Sequence, residues 1–217
     1  SRPFAFPLRA AMGNVCAGYS VSETRDEIPD EEALHIKREP EQPIGLNLDF
    51  VDGSTGLVLE VLPGPVRACG KVRQGDHIVA VNGGRGASVI MKRLREDTEL
   101  ELVVEHPRHF RVKVSKGDGL GIDFAHAPEG TSLLVVRVLN WGALHEWNKA
   151  HPSALVGARD RIVQVNGSRG SWSKLIARIQ EAQELDLVIA TGPAKKSPVP
   201  EAKAGDKPED KGGDEAA

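Results

Sequence analysis

Nearly the same stretch of fifteen residues occurs twice in this chain. Residues 72–86 read VRQGDHIVAVNGGRG, and residues 156–170, 84 positions later, read VGARDRIVQVNGSRG. A repeat of this kind constrains the fold more than any single motif, because each copy must form the same supersecondary unit. The 217 residues leave room for two small domains. We therefore expect two copies of one domain in tandem.

Each copy shows the same succession of short apolar runs and turn signals, followed by one late helical pattern. The runs alternate or are continuously apolar, as strands do. The late pattern has apolar residues at i, i+3, i+4 and i+7, which is one face of a helix. Each copy therefore predicts the order β-β-β-short helix-β-helix-β. The residues of the two helical patterns are Ala87, Ile90, Met91 and Leu94, then Trp172, Leu175, Ile176 and Ile179.

The composition argues against several classes of protein. Hydrophobic residues make up 40% of the chain and charged residues 27%, with a net charge of −3, so there is no strongly basic footprint for nucleic acid. No apolar run reaches the roughly 18 residues of a membrane helix. Cys16 and Cys69 stand in unlike contexts, which argues against a disulfide framework and favours a cytoplasmic setting.

The ends of the chain differ in composition from its middle. The stretch up to residue 31 is polar and acidic after an unpatterned start, and we expect a flexible segment with a candidate start at Met12. Residues 192–217 are rich in Pro, Gly, Ala, Lys, Asp and Glu and predict a disordered tail. The two domains are then residues 32–106 and 107–191.

The centre of the first copy resembles a known family. Residues 64–83, GPVRACGKVRQGDHIVAVNG, resemble the middle of a PDZ domain, whose pattern is Gly-Pro-Ala, a short helix, Gly-Asp, a hydrophobic strand and Val-Asn-Gly. The resemblance implies a mainly β fold with two helices per repeat. It implies two tandem PDZ-like domains, each a partly open β-barrel or sandwich, between disordered termini.

The family also has a loop of the form x-Φ-Gly-Φ that captures a ligand carboxylate. The second copy has GLGI at 119–122, whereas the first offers either PIGL at 43–46 or GLNL at 45–48. Gly121 stands twelve positions before Leu133, and Gly45 stands twelve before Leu57, which favours PIGL. By resemblance, the capturing amides belong to Ile44, Gly45 and Leu46, and to Leu120, Gly121 and Ile122.

The strand after each loop is predicted to line the peptide groove. Ile44, Leu46 and Leu48 would face the core while Asn47 and Asp49 face outward, and in the second copy Leu120, Ile122 and Phe124 would face inward against Asp123. The resemblance places the ligand between this strand and the late helix. The candidate peptide-binding residues are Ile44, Gly45, Leu46, Leu48, Ala87, Met91, Leu120, Gly121, Ile122, Phe124, Trp172 and Ile176.

Two positions depart from the family pattern. The late helix of the commonest PDZ class begins with His, but here it begins with Ala87 or Trp172. Trp172 is either a core or cap residue, or it faces the groove and narrows it. Asp76 and Asp160 are predicted to cap the turn before the fourth strand. Because Arg159 replaces the glycine of the Gly-Asp pair, we expect the second turn to differ from the first.

These features predict a non-enzymatic adaptor that binds protein C-termini or internal extended peptides by strand addition. The alternative is a regulatory PDZ fragment of a larger enzyme such as a serine protease. A third, purely architectural likeness is to Golgi stacking proteins. No cofactor and no metal is expected, because His106 and His109 flank Pro107 in what reads as a solvated linker.

A short motif near the start suggests lipidation. Residues 12–17 read MGNVCA, and removal of Met12 would expose Gly13 for myristoylation, with Cys16 placed for palmitoylation. Ala17 stands where Ser or Thr is usual. Two acyl chains would suffice for stable anchoring at the cytoplasmic face of a membrane. The alternative is that residues 1–17 are an ordinary flexible leader.

Overall fold

The two copies of the repeat form two sheets in the computed structural model, which describes the backbone of Val21–Ser22 and residues 31–193. The sheet of domain 1 has the strand order β2-β6-β5-β4-β3, and all of its neighbours are antiparallel. The elements of domain 1 are β2 (Glu31–Lys37), β3 (Leu46–Asp49), β4 (Gly56–Val61), α1 (Pro65–Cys69), β5 (His77–Val81), α2 (Ala87–Glu96) and β6 (Glu99–Glu105).

Domain 2 repeats this order and adds one strand from the start of the chain. Its sheet runs β1-β7-β11-β10-β9-β8, with β1 (Val21–Ser22) parallel to β7 and the other pairs antiparallel. The remaining elements are β7 (His109–Ser115), β8 (Ile122–Ala125), β9 (Leu133–Val138), α3 (Ala143–Ala150), a 3-10 turn (Pro152–Ala154), β10 (Arg161–Val165), α4 (Trp172–Glu181) and β11 (Glu184–Ala190).

The predicted order of elements and the mainly β fold class are confirmed in both copies. Glu31 already belongs to β2, and Gly192 donates its N–H to Asp160 Oδ1, so the ordered chain of domain 2 continues past residue 191. His109 opens β7 and is buried rather than lying in a solvated linker. Val21–Ser22, within the predicted flexible segment, form β1, and the rest of that segment and of the predicted tail lies outside the described residues.

Each domain has its own aliphatic core, as the low aromatic content requires. Ile90 and Leu94, one helical turn apart on α2, are buried against the sheet of domain 1, and Leu175 of α4 is fully buried against that of domain 2. The short helices contribute Val66 and Leu144, both fully buried. Burying each such side chain stabilises the fold by about 1.5–3 kcal/mol.

The alternation predicted for the strand after each loop, the second strand of each copy, is wrong at two residues. Phe124 was expected to face the core but is 41% exposed, and Asp49 was expected to face outward but is 5% exposed. Register shifts between Asp123 and Phe124, and between Asn47 and Leu48, interrupt the period of two. Asp49 is buried because domain 2 covers it.

The turn before the fourth strand is the same in both copies, contrary to the expectation drawn from Arg159. Gly75 has φ of 93° and Arg159 has φ of 76°. In both copies the Asp side chain accepts from the backbone N–H three residues earlier: Asp76 from Arg73 at 2.7 Å, and Asp160 from Gly157 at 2.8 Å. Arg159 therefore adopts a left-handed conformation that favours glycine.

Candidate peptide-binding site

The glycine in each predicted binding loop is required by backbone packing. Gly45 has φ of 84°, and a Cβ there would come within 2.8 Å of Leu62 O. Gly121 has φ of 71°, and a Cβ there would overlap the carbonyl oxygen of Trp141. Only glycine, which has no Cβ, suits a positive φ together with so close an approach of neighbouring backbone. The loop therefore holds its shape through a contact with the chain that leads into the short helix.

The carbonyl groups of both loops accept hydrogen bonds from that same neighbouring chain. In domain 1, Leu62 N–H donates to Gly45 O at 2.9 Å. In domain 2, Leu139 N–H donates to Gly121 O at 2.8 Å, and Leu144 N–H donates to Leu120 O at 3.0 Å. These bonds fix the carbonyl groups of each loop toward the body of its domain, which orients the peptide planes.

The N–H groups of the loops are the unusual feature. Within residues 31–193, the N–H groups of Ile44 and Gly45 donate to no acceptor, and neither do those of Leu120 and Gly121. Backbone N–H groups are nearly always paired when they are removed from water. Two successive unpaired N–H groups form a concavity that suits an anion without a charged side chain.

Each loop leads directly into a strand at the edge of its sheet. β3 pairs only with β4, and β8 pairs only with β9, so one side of each strand has no partner strand among the described residues. Leu46 and Leu48 of β3 pack against the core that also contains Ile90 of α2. An edge strand of this kind can accept an extended peptide.

The remaining candidates lie on the late helix of each domain. Ala87 is the first residue of α2 and is partly buried, and Met91, one turn later, is 42% exposed. Trp172 and Ile176 occupy the corresponding places on α4 and pack against the core of domain 2. Met91 thus belongs to the rim of domain 1 rather than to its core.

Trp172 has contacts that Ala87 lacks. Its ring stacks on His126, with ring centroids 3.7 Å apart and planes inclined by 11°. Its Nε1–H donates to Pro128 O at 3.0 Å, and its backbone N–H donates to Gly130 O at 3.1 Å. Among the described residues of domain 1, no hydrogen bond or ring contact joins Ala87 to the chain after β3.

A second group of residues, absent from the sequence-based candidates, joins the two domains. Arg161 Nη1 lies 3.2 Å from Asp49 Oδ2, and both side chains are at most 3% exposed. Arg159 Nη2 lies 3.1 Å from Asp52 Oδ2 and donates to Ser54 Oγ at 2.7 Å. Asp49 ends β3, so domain 2 contacts the far end of the strand that carries the candidate site of domain 1.

The pKa values of two side chains near this contact, Asp52 and His77, are lowered. Burial alone would raise the pKa of Asp52, but hydrogen bonds from Thr55, Ser54 and Arg159 lower it to about 2. Burial, reinforced by the charge of Arg161, lowers the pKa of His77 to about 3. His77 is therefore neutral at physiological pH, and its Nδ1 lies 3.2 Å from Thr55 Oγ1.

Two histidines considered as metal ligands have other roles. His106 pairs through Nδ1 with Asp76 Oδ1 at 2.9 Å, and burial lowers the pKa of His109 to about 4. The described residues contain no group of three His, Cys, Asp or Glu side chains able to hold a metal ion. None of the helices in that part of the chain is long and apolar enough to span a membrane.

Both domains contain the element order, the short and long helices and the glycine loop that the sequence resemblance implies. The fold is a tandem of two PDZ-like domains. No protein-family model matches the chain, and no curated protein is similar to it. The acylation candidates Gly13 and Cys16 lie outside the described residues, so lipidation stays a prediction.

Two of the solved structures that are similar to the chain are complexes of INAD PDZ45. One is INAD PDZ45 in complex with NORPA CC-PBM, 18% identical, covering 81% of this chain and 97% of that one with a TM-score of 0.34. The other is INAD PDZ45 in complex with an NG2 peptide, 18% identical, covering 82% and 96% with a TM-score of 0.35. At these TM-scores the PDZ-like assignment rests on the elements and loops of this chain alone.

Proposed function

We propose that the chain is a non-enzymatic interaction protein whose two domains bind peptides as added strands. The terminal carboxylate of the peptide is bound by the loop of each domain, at Ile44–Leu46 in domain 1 and at Leu120–Ile122 in domain 2. The peptide then runs along β3 or β8, with the late helix on its other side.

One observation carries this proposal. In both domains, two consecutive loop N–H groups stand at the start of an edge strand, and neither the N–H groups nor the outer side of the strand has a partner within residues 31–193. A C-terminal peptide supplies both missing partners, because its carboxylate accepts from the loop and its backbone pairs with the strand.

The expected affinity is modest. A single short strand buries little surface, so each domain should bind its peptides with Kd on the order of micromolar. Domain 1 is expected to bind more readily, because Ala87 leaves the start of α2 uncovered where domain 2 has Trp172 in contact with the opposite loop.

The test is a screen of the full chain against a library of hexapeptides with free C-termini, repeated with the same peptides amidated. Amidation removes the negative charge and one acceptor oxygen, so the hits should be lost. Hits that bind equally well after amidation would refute carboxylate capture. Peptide hits that move neither Gly45 nor Gly121 in ¹H–¹⁵N spectra would place the site elsewhere.

The alternative, a regulatory PDZ fragment of a larger enzyme such as a serine protease, uses the same grooves. A full-length transcript separates the two: an upstream protease domain would replace the adaptor interpretation.

The proposed cytoplasmic location and lipid anchor are tested by fractionating a chain that starts at Met12 beside its Gly13→Ala form. Membrane association that survives Gly13→Ala would exclude the anchor.

A further inference from the structure

Trp172 ties the start of α4 to the segment that follows β8. It does so through three contacts: the stack on His126, the Nε1–H bond to Pro128 O, and the backbone bond to Gly130 O. We call Trp172, His126 and Pro128 the latch. The latch joins the two elements between which a peptide would pass.

The position of the latch along the groove follows from the register of β8. The binding loop ends at Ile122, where β8 begins, and His126 comes immediately after the strand ends at Ala125. At about 3.3 Å per residue, the four residues of β8 present roughly 13 Å of open edge. Three or four ligand residues fit between the loop and the latch.

Opening the latch would separate contacts that the ligand cannot easily replace. The indole N–H of a partly buried tryptophan needs an acceptor, and Pro128 O supplies it in the closed form. The aromatic stack adds stabilisation beyond simple burial. One further ladder hydrogen bond to a ligand is of the same order as either contact, so a longer ligand gains too little to displace the latch.

Domain 1 has no latch. The positions that correspond to His126 and Pro128 are Phe50 and Asp52, counted from the two loop glycines. Phe50 packs against the core of its own domain, and Asp52 is held by Arg159 of domain 2. Among the described residues, no hydrogen bond or ring contact ties the segment after β3 to Ala87, so no contact of the latch kind crosses the far end of the domain 1 groove.

We propose that the latch sets the length of peptide that each domain binds. Domain 2 takes only the last three or four residues of a C-terminal peptide, whereas domain 1 takes a longer strand. This inference rests on the proposed function, because it assumes that both loops bind a carboxylate. It adds a difference in the length of peptide that the two domains bind, and it attributes that difference to a contact within domain 2.

The test uses the full chain and one hexapeptide selected from the free-carboxylate library, together with its C-terminal tripeptide and tetrapeptide. Titrations followed by ¹H–¹⁵N spectra separate the domains, because Gly45 reports on domain 1 and Gly121 on domain 2. Domain 1 should bind the hexapeptide more tightly than the tetrapeptide. Domain 2 should bind the two equally.

Trp172→Ala removes the latch. Domain 2 of this variant should bind the hexapeptide about tenfold more tightly than the wild type does, the effect of about two added main-chain hydrogen bonds, and this gain should exceed any change in its affinity for the tripeptide. His126→Ala removes only the stack and should give a smaller gain, and it serves as the second variant if Trp172→Ala does not fold. Ser173→Ala, at the neighbouring exposed position, is the matched control and should change nothing.

Ala87→Trp gives the reciprocal test, since it introduces the indole ring at the position in domain 1 that corresponds to Trp172, and it should reduce hexapeptide binding there more than tripeptide binding. Equal length dependence in the two wild-type domains would overturn the latch and leave the proposed function intact. Peptides that bind domain 1 but bind neither the wild-type nor the Trp172→Ala form of domain 2 would also overturn it. Failure of every free-carboxylate peptide to move either glycine would instead refute the proposed function.

Discussion

The two copies of the repeat share a turn but use it differently where the domains meet. Domain 1 has Gly75 and His77 on either side of its turn aspartate, and domain 2 has Arg159 and Arg161 in the same places. The backbone is alike, with positive φ at Gly75 and Arg159. The difference shows that the same turn can carry side chains that form interdomain ion pairs in one copy, Arg159 and Arg161, without doing so in the other.

The same comparison extends to the segment after the groove strand. In domain 1 this segment is held from outside, because Asp49 and Asp52 pair with the two arginines of domain 2. In domain 2 it is held from inside by Trp172. The segment after the groove strand is therefore held in place in both domains. Only in domain 2 does the contact that holds it reach across the groove to the late helix.

The largest expected effect comes from Arg161→Met. This change leaves Asp49 buried without its partner, and removing one member of a buried ion pair costs about 3–5 kcal/mol. Chemical denaturation of the full chain should show a loss of that size in the free energy of unfolding.

The double variant Asp49→Leu/Arg161→Met is the control, since it removes both charges. It should recover most of the loss. If Arg161→Met unfolds like the wild type, or if the double variant is no more stable than the single one, the pair does not hold the domains as described.

The next largest effect should come from substitution of the loop glycines. Gly45→Ala or Gly121→Ala introduces both an unfavourable positive φ and a clash with neighbouring backbone, and we expect a loss of about 2–4 kcal/mol. Gly83→Ala and Gly167→Ala are matched controls, because each has positive φ but nothing within 4 Å of the added Cβ. These should lose only about 1 kcal/mol. Equal losses at all four positions would mean that backbone contact at the loop is unimportant.

Acid should weaken the domain contact through His77. Its pKa is about 3 in the folded chain against 6.5 for the free side chain, so the unfolded chain binds the extra proton between these values and stability falls as pH drops below 6.5. At pH 5 the expected loss is roughly 2 kcal/mol relative to neutral pH. Thermal unfolding of His77→Gln should lack this part of the pH dependence. An unchanged pH profile in that variant would contradict the assignment.

The smallest effect concerns Arg159, whose φ of 76° favours glycine. Arg159→Gly and Arg159→Ala both lose the contact with Asp52, but only the glycine variant relieves the backbone. The glycine form should therefore be more stable than the alanine form by about 1 kcal/mol in urea denaturation. Equal stability of the two would mean that the turn carries no strain.

Much of this fold could be predicted from the sequence because each element follows from local patterns. The helical spacing of Ile90 and Leu94, the Asn-Gly turns and the glycine spacing of the loops all depend on residues close in the chain. Phe124 was misplaced because a bulge in the ladder with β9 interrupts the alternation, and no residue type near it announces the bulge.

The domain contact could not be predicted for a different reason. Asp49 and Arg161 are 112 positions apart, and no motif pairs the two residues. A charged residue in place of Gly75, as Arg159 is, was the only local signal, and it suggested a changed turn rather than an unchanged turn with a new partner. The role of Trp172 also depends on His126, which becomes its neighbour only after folding.

The most direct test of the peptide-binding account is a crystal structure of the full chain with a selected free-carboxylate peptide. The account predicts that the peptide extends β3 as an added antiparallel strand, with its carboxylate oxygens within hydrogen-bond distance of the N–H groups of Ile44 and Gly45. A peptide bound away from β3, or a carboxylate left in solvent while those N–H groups stay unpaired, would contradict it.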